Sequence, residues 1–121
     1  MIDLAVKQAL RSQCRHRVGA VLAVGTRVVV ASPNRRRNNP AVTFRHATFH
    51  AEEAVLRRAA RTAGSTIYVA RVDAAGASRL AKPCLRCQKA LLAAGIVRVH
   101  YTIDPNTVGT LNLARTSLAA K

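Results

Sequence analysis

The sequence TIYVARVDAAGASRLAKPCLRCQKALLAAGIVRVHYTI, residues 66–103, contains two strand-like segments on either side of a helix-like one. Thr66 to Val72 is rich in β-branched and aromatic residues and predicts a strand, and Ile96 to Ile103 predicts another. Cys84 to Ala94 predicts a helix, because a proline stands at its start and a glycine follows its end. This order indicates an α/β fold, in which helices cover a sheet.

The segments before this stretch extend the pattern. Ile2 to Ser12 has apolar residues at helical spacing and predicts a short amphipathic helix. Val18 to Val24 and Val28 to Ala31 are valine-rich runs around Gly25-Thr26, which is typical of a hairpin with two buried strands. Ser32 to Pro40, which contains three consecutive arginines, predicts a polar loop.

The remaining segments complete the predicted sheet. His50 to Ala63 predicts a helix with an apolar stripe, and Asp73 to Lys82 predicts a loop. Only four residues, DPNT, separate the strand that ends at Ile103 from the apolar segment Val108 to Leu113. A parallel crossover needs a dozen residues or more, so a strand in this segment must return antiparallel. A terminal helix over the same segment is the alternative.

Length and composition indicate a single domain over residues 1–121. Half of the residues are hydrophobic, but aromatic residues make up only 3%, so the predicted core is small and subunit association into a homo-oligomer is expected. The first residues, MIDL, do not resemble a signal peptide, and no stretch is as long and apolar as a membrane span. We therefore expect a cytoplasmic protein with no membrane partner.

The chain is strongly basic. Twenty Lys and Arg residues stand against five acids, which gives a net charge of +15. Such a charge favours a partner that carries phosphate, either a small nucleotide or a nucleic acid. A codon-composition bias that enriches arginine and alanine is the alternative, although it does not explain the scarcity of acids.

Two motifs carry metal-binding and acid/base groups. His50-Ala51-Glu52 lies at the start of one predicted helix, and Pro83-Cys84-Leu85-Arg86-Cys87 lies at the start of another. If both helices pack on one sheet face, His50, Cys84 and Cys87 supply three zinc ligands and leave a fourth position open, which is typical of catalytic zinc. Water bound there has a pKa near neutrality, and the Glu52 carboxylate beside it can take up and deliver protons.

The order and spacing of these motifs resemble the cytidine and deoxycytidylate deaminase superfamily, the zinc-dependent nucleobase deaminases. The resemblance also rests on the RVGAVL run that starts at Arg17 and on Ser32-Pro33-Asn34 after the predicted hairpin. The cysteine motif, with AL, AGI and RVHY after it, is most similar to the deoxycytidylate branch. The short turn after Ile103 instead resembles the cytidine deaminases that act on free nucleosides.

The resemblance implies a fold and a set of site residues. The fold is a three-layer α/β domain whose central mixed sheet of about five strands is flanked by helices. The zinc ligands are then His50, Cys84 and Cys87, and Glu52 is the proton shuttle. Asn34 and Ala51 would contact the substrate, and we expect Arg35, Arg36 and Arg37 to lie near its phosphate.

Three interpretations of the function are open. The first is hydrolytic deamination of cytosine in a small nucleotide or nucleoside, giving uracil and ammonia. The second is deamination of cytosine in single-stranded DNA or of adenosine in tRNA, although two Phe and two Tyr residues are few for a single-strand binder. The third is a non-catalytic, zinc-stabilised binding module, which would not need Glu52 and would have four protein ligands.

Overall fold

The computed structural model describes residues 1–14, 16–36, 48–49, 55–56, 64–83 and 85–113. In chain order the elements are α1 Ile2–Leu10, β1 Arg17–Val24, β2 Arg27–Pro33, β3 Arg35–Arg36, β4 Thr48–Phe49, β5 Thr66–Val72, β6 Ser78–Arg79, α2 Leu85–Ala93, β7 Arg98–Asp104 and β8 Thr107–Asn112. Val55 and Leu56 are also helical and fall within the helix predicted from His50 to Ala63; the rest of that prediction lies outside the described residues.

The main sheet is mixed and has the strand order β2-β1-β5-β7-β8, with β6 paired to β5. The β1–β2, β1–β5 and β7–β8 pairs are antiparallel, and β5 and β7 are parallel. The predicted N-terminal hairpin and the antiparallel return of β8 are therefore confirmed. The alternative of a helix is wrong for residues 107–112, because this segment pairs with β7 across a turn of two residues, Pro105 and Asn106.

Side chains alternate between the two faces of the sheet, and an apolar cluster lies on each face. On one face Val21 and Ala70 pack with Ala5 of α1. The other face carries the larger cluster, in which Leu22 of β1 packs with helical residues such as Leu91. Helical layers thus cover both faces, which confirms the predicted three-layer α/β fold.

Two predicted loops contain short strands. The sequence predicts a polar loop from Ser32 to Pro40, but β2 continues to Pro33, and Arg35 and Arg36 pair with Phe49 and Thr48. This part of the loop prediction is wrong, because backbone pairing satisfies an extended segment whatever the charge of its side chains. The predicted Asp73 to Lys82 loop likewise contains β6.

Helix α1 approaches β1 closely at Gly19. A Cβ atom on Gly19 would overlap the carbonyl oxygen of Ala5 and the amide nitrogen of Ala9. Both obstacles are backbone atoms of the helix, so a side chain at this position can be accommodated only if α1 moves away from the sheet. Glycine is required here by the close approach.

We therefore expect Gly19→Ala to lower the free energy of unfolding by about 3 kcal/mol, measured by urea denaturation, since the clash displaces the packed helix. Gly25→Asn is the matched control: Gly25 lies in the β1–β2 turn with a φ of 59°, and nothing lies within 4 Å of the position that a Cβ atom would take. Asparagine tolerates this backbone conformation, so the control should change stability by less than about 1 kcal/mol. Equal losses in both variants would refute the packing argument.

Within the described part of the chain, no helix has the length and apolar character needed to cross a membrane.

Candidate functional site

At one end of the sheet, the end of β2, the start of β1 and the end of β5 lie side by side. Gly19 is paired with Pro33, and Arg17 is paired with Val72. Asn34 follows β2 directly at this end. The segment after β5 leads from the same end of the sheet to Pro83 and the start of α2. The end of the hairpin and the segment before the cysteine motif therefore meet at one end of the sheet.

Asn34 is only 4% exposed and is held by hydrogen bonds on both ends of its side-chain amide. Its Oδ1 accepts from the Ser12 hydroxyl at 2.5 Å and from the Val18 N–H at 3.1 Å, and its Nδ2 donates to the His16 carbonyl oxygen at 2.7 Å. These contacts fix the segment before β1 to the end of β2. One of the two Nδ2 hydrogens is not used in these three bonds.

Cys87 lies in the first turn of α2 and is 1% exposed. The turn is held to the preceding segment because Gln88 Nε2 donates to the Pro83 carbonyl oxygen at 2.8 Å. The start of a helix carries unpaired N–H groups and a partial positive charge, which favour a thiolate. The position therefore suits a cysteine that acts as a metal ligand.

Two observations relate α2 to the helical residues Val55 and Leu56. Val55 and Leu91 belong to the same apolar cluster, so both helical segments cover one sheet face. The Gly64 N–H donates to the Gly95 carbonyl oxygen at 2.8 Å, just before β5 and β7 begin as parallel neighbours. The chain thus enters both strands from the same end of the sheet.

The segment between β5 and α2 is organised by Asp73. Its carboxylate accepts from the backbone N–H groups of Ala77 and Ala75 and from Arg79 Nε at 3.0 Å. The bond from Ala77 is the largest cause that lowers the pKa of Asp73; burial opposes it, and Arg79 and Ala75 add to it. The hydrogen bonds of the Asp73 carboxylate therefore hold the turn of the β5–β6 hairpin, in the segment that leads to Pro83.

The described residues include part of the predicted site. Asn34 and Cys87 are described with their side chains, and Arg35 and Arg36 by the backbone of β3. The other predicted site residues lie outside the described residues: His50, Ala51, Glu52, Cys84 and Arg37. The roles assigned to all of them stay predictions.

The contact of Arg71 with His16, at the same end of the sheet, was not predicted from the sequence. Arg71 Nη2 is 3.3 Å from His16 Nδ1, and Arg71 is paired with Val18 in β1. A signal was present in the sequence: alternation along β5 places Arg71 on the face of Ile67 and Val69, where an arginine is unusual.

The chain is similar to solved structures and to one family model, whereas no curated protein sequence matches it significantly. Cytidine deaminase from Burkholderia pseudomallei aligns with a TM-score of 0.67 at 18% identity, over 93% of this chain and 90% of that one. The apo dCMP deaminase from the cyanophage S-TIM5 aligns with a TM-score of 0.63 at 20% identity, over 83% and 77%. Both similarities support the fold.

A third similar structure is a mutant cytidine deaminase from Mycobacterium tuberculosis, with a TM-score of 0.60 and 27% identity over 94% of this chain and 88% of that one. The family model that describes the cytidine and deoxycytidylate deaminase zinc-binding region matches residues 1–103. The match covers most of the chain and includes both sequence motifs. The chain therefore belongs to the cytidine and deoxycytidylate deaminase family.

Proposed function

We propose that this chain is a zinc-dependent hydrolytic deaminase that converts the cytosine of a small nucleotide or nucleoside to uracil and releases ammonia. The observation that carries the proposal is the placement of Val55 and Leu91 in one apolar cluster, with Gly64 bonded to Gly95. These contacts support two helices that lie on one face of the sheet and whose C-terminal ends are side by side.

The lengths of the two predicted helices then bring the motifs together. His50 precedes Gly64 by fourteen residues, and Cys84 precedes Gly95 by eleven. At a rise of about 1.5 Å per residue, two parallel helices of these lengths that end side by side have starts that differ by about 5 Å along the helix axis. We infer that His50 and the two cysteines converge at the end of the sheet where Asn34 lies.

The donor set fits zinc. One imidazole and two thiolates are ligands that zinc prefers, and the helix start favours the thiolate form of Cys87, whose burial a bound cation would offset. His50, Cys84 and Cys87 would hold the ion and leave a position for water. When bound, zinc supplies a water molecule with a pKa near neutrality.

Glu52 would move the protons of the reaction. Its carboxylate accepts a proton from water as the oxygen adds to the ring carbon that bears the amino group. The same proton passes to the adjacent ring nitrogen, and a further transfer to the amino group lets it leave as ammonia while the carbonyl of uracil forms. As the family resemblance implies, Ala51 would offer backbone groups to the base and Asn34 would contact the sugar.

The small-substrate form of the proposal has two supports. The antiparallel β8 resembles the branch that acts on free nucleosides. The structure with 27% identity is a cytidine deaminase and aligns over nearly the whole chain. The net charge of +15 keeps nucleic acid as the competing substrate class to be tested.

A substrate panel tests the proposal. The purified zinc-loaded protein is incubated with deoxycytidine, cytidine, dCMP, dCTP, single-stranded DNA and tRNA, and ammonia and the deaminated base are quantified. We expect turnover of at least one small cytosine compound and none of the polymers. Zinc binding without turnover of any substrate would instead favour the binding module, and turnover of a polymer alone would assign the nucleic-acid class.

A further inference from the structure

Strand β8 lies at one edge of the main sheet. It is the last strand in the order β2-β1-β5-β7-β8, and no strand in the described part of the chain pairs with its outer side. None of its residues from Thr107 to Asn112 is buried, and Val108 is 50% exposed. An edge strand of this kind presents a row of unpaired N–H and C=O groups that can pair with a further strand.

The bonds between β8 and β7 show which backbone groups of β8 point outward. The Leu113 N–H donates to the Val97 carbonyl oxygen at 3.1 Å, directly beyond the last pair of the register. Such a bond flanks a pair that does not exchange hydrogen bonds, and the two kinds of pair alternate along an antiparallel ladder. The N–H and C=O groups of every second residue therefore point away from β7. These residues are Val108, Thr110 and Asn112.

The two edges of the sheet differ in composition. At the other edge, β2 begins with Arg27, ends with Pro33 and is followed by three arginines from Arg35 onward. Charges and prolines are the features that protect an edge strand from pairing with another chain. The sequence of β8, TVGTLN, contains neither. The β8 edge is therefore the one that is open to pairing.

The charge of the chain favours the same edge for contact between two copies. Two molecules that each carry a net charge of +15 repel one another. Residues 99–114 contain no Lys or Arg, which makes them the longest stretch of the chain without a basic residue, and they include Asp104. The repulsion therefore opposes a contact least at this part of the surface.

The outward groups of β8 are complementary to those of a second β8. If two copies run antiparallel about a two-fold axis at Thr110, the Thr110 residues face each other, and Val108 of each copy faces Asn112 of the other. All three of these pairs then consist of outward-pointing residues, and each pair exchanges two hydrogen bonds. An axis at either neighbouring residue leaves some of these groups unpaired.

The side chains at the edge fit this register on both faces. Leu111 of each copy lies opposite Gly109 of the other, where no side chain obstructs it. A Cβ atom on Gly109 would overlap the ring of Tyr101, so the ring lies over this glycine and within reach of the incoming leucine. On the opposite face the two Thr110 side chains meet, and each Oγ1 lies 3.0 Å from His100 Nδ1 of its own copy. Threonine pairs are favourable neighbours across strands.

We propose that two copies of this chain associate through β8, antiparallel and centred on Thr110, so that one continuous sheet runs through the dimer. A second copy is the partner because the register pairs every outward group and places leucine against glycine only when the edge faces its own sequence. The inference goes beyond the proposed deaminase function and does not depend on it. Composition alone predicts association, whereas the register and the charge pattern identify the surface.

The test measures sedimentation of the purified protein up to about 0.1 mM, in about 0.15 M salt, which screens the repulsion between copies. We expect wild type to associate with rising concentration. Thr110→Lys should raise Kd by at least about 10-fold, because the two ammonium groups lie directly opposite each other at the axis. Thr26→Lys is the matched control, since it adds the same charge at an exposed threonine in the β1–β2 turn, and it should leave Kd unchanged.

A mixture of two variants tests the register itself. Thr110→Glu should also dissociate the dimer, but an equimolar mixture of Thr110→Lys and Thr110→Glu should associate again, because lysine then faces glutamate across the axis. Far-UV circular dichroism checks that each variant is folded, and deaminase activity is not part of the readout. A monomeric wild type, an assembly that Thr110→Lys leaves unchanged, equal losses in Thr26→Lys, or a mixture that stays dissociated would each overturn the inference.

Discussion

Glu52→Gln should reduce kcat for cytosine deamination by about 10³-fold while the fold and the zinc content are retained. General acid/base catalysis by a positioned side chain contributes a rate factor of about 10² to 10⁴, and in the proposed mechanism a single carboxylate performs several proton transfers. Glutamine has nearly the same size but cannot accept a proton. Ammonia release measures turnover, and metal analysis and thermal denaturation check that the protein is otherwise unchanged.

Glu53→Gln is the control for this variant. Glu53 is the adjacent acid, so its substitution makes the same change in net charge, and in the first turn of a helix an acid is favourable without any catalytic role. We expect kcat to stay within about threefold of wild type. Full activity in Glu52→Gln would overturn the proposed mechanism, and a comparable loss in Glu53→Gln would show that charge, rather than proton transfer, is what matters.

The architecture could be predicted from the chain because its signals are local. The run from Thr66 to Val72 is a strand in both the prediction and the structure. Helix α2 begins two residues after Pro83 and ends two residues before Gly95, close to the limits that these residues predict. The direction of β8 follows from the length of the turn alone, since four residues cannot make a parallel crossover. The strand formed by Arg35 and Arg36 was not predicted, because backbone pairing with another segment of the chain leaves no local composition signal.

The site was predictable only in part, for a similar reason. Spacing within His50-Ala51-Glu52 and within the cysteine motif indicates the chemistry without reference to any distant residue. The relation of Arg71 to His16 depends on the pairing of β1 with β5, two strands that are far apart in the chain. Neither residue type nor spacing reveals which strands become neighbours, so the contact between these two side chains follows only from the sheet register.

Cys87→Ala should abolish zinc binding at ordinary metal concentrations and with it the activity. Substitutions next to metal ligands already weaken binding by 10- to 100-fold, so removal of a ligand should weaken it by more than about 100-fold. In the proposed mechanism zinc binds only the folded chain, so a 100-fold loss of affinity would lower the free energy of unfolding in zinc-saturated solution by about 2.7 kcal/mol. The measurements are zinc per chain and the change in Tm on addition of a chelator.

Cys14→Ala is the matched control because it also removes a thiol from a buried position, at 6% exposure, outside both motifs. The two substitutions create similar cavities, so the packing cost should be alike, while the effect of the chelator should differ. We expect the Tm of wild type and of Cys14→Ala to fall on chelation and that of Cys87→Ala to stay constant. A Cys87→Ala protein that keeps one zinc ion per chain and responds to the chelator like wild type would remove Cys87 from the ligand set and require a different third ligand.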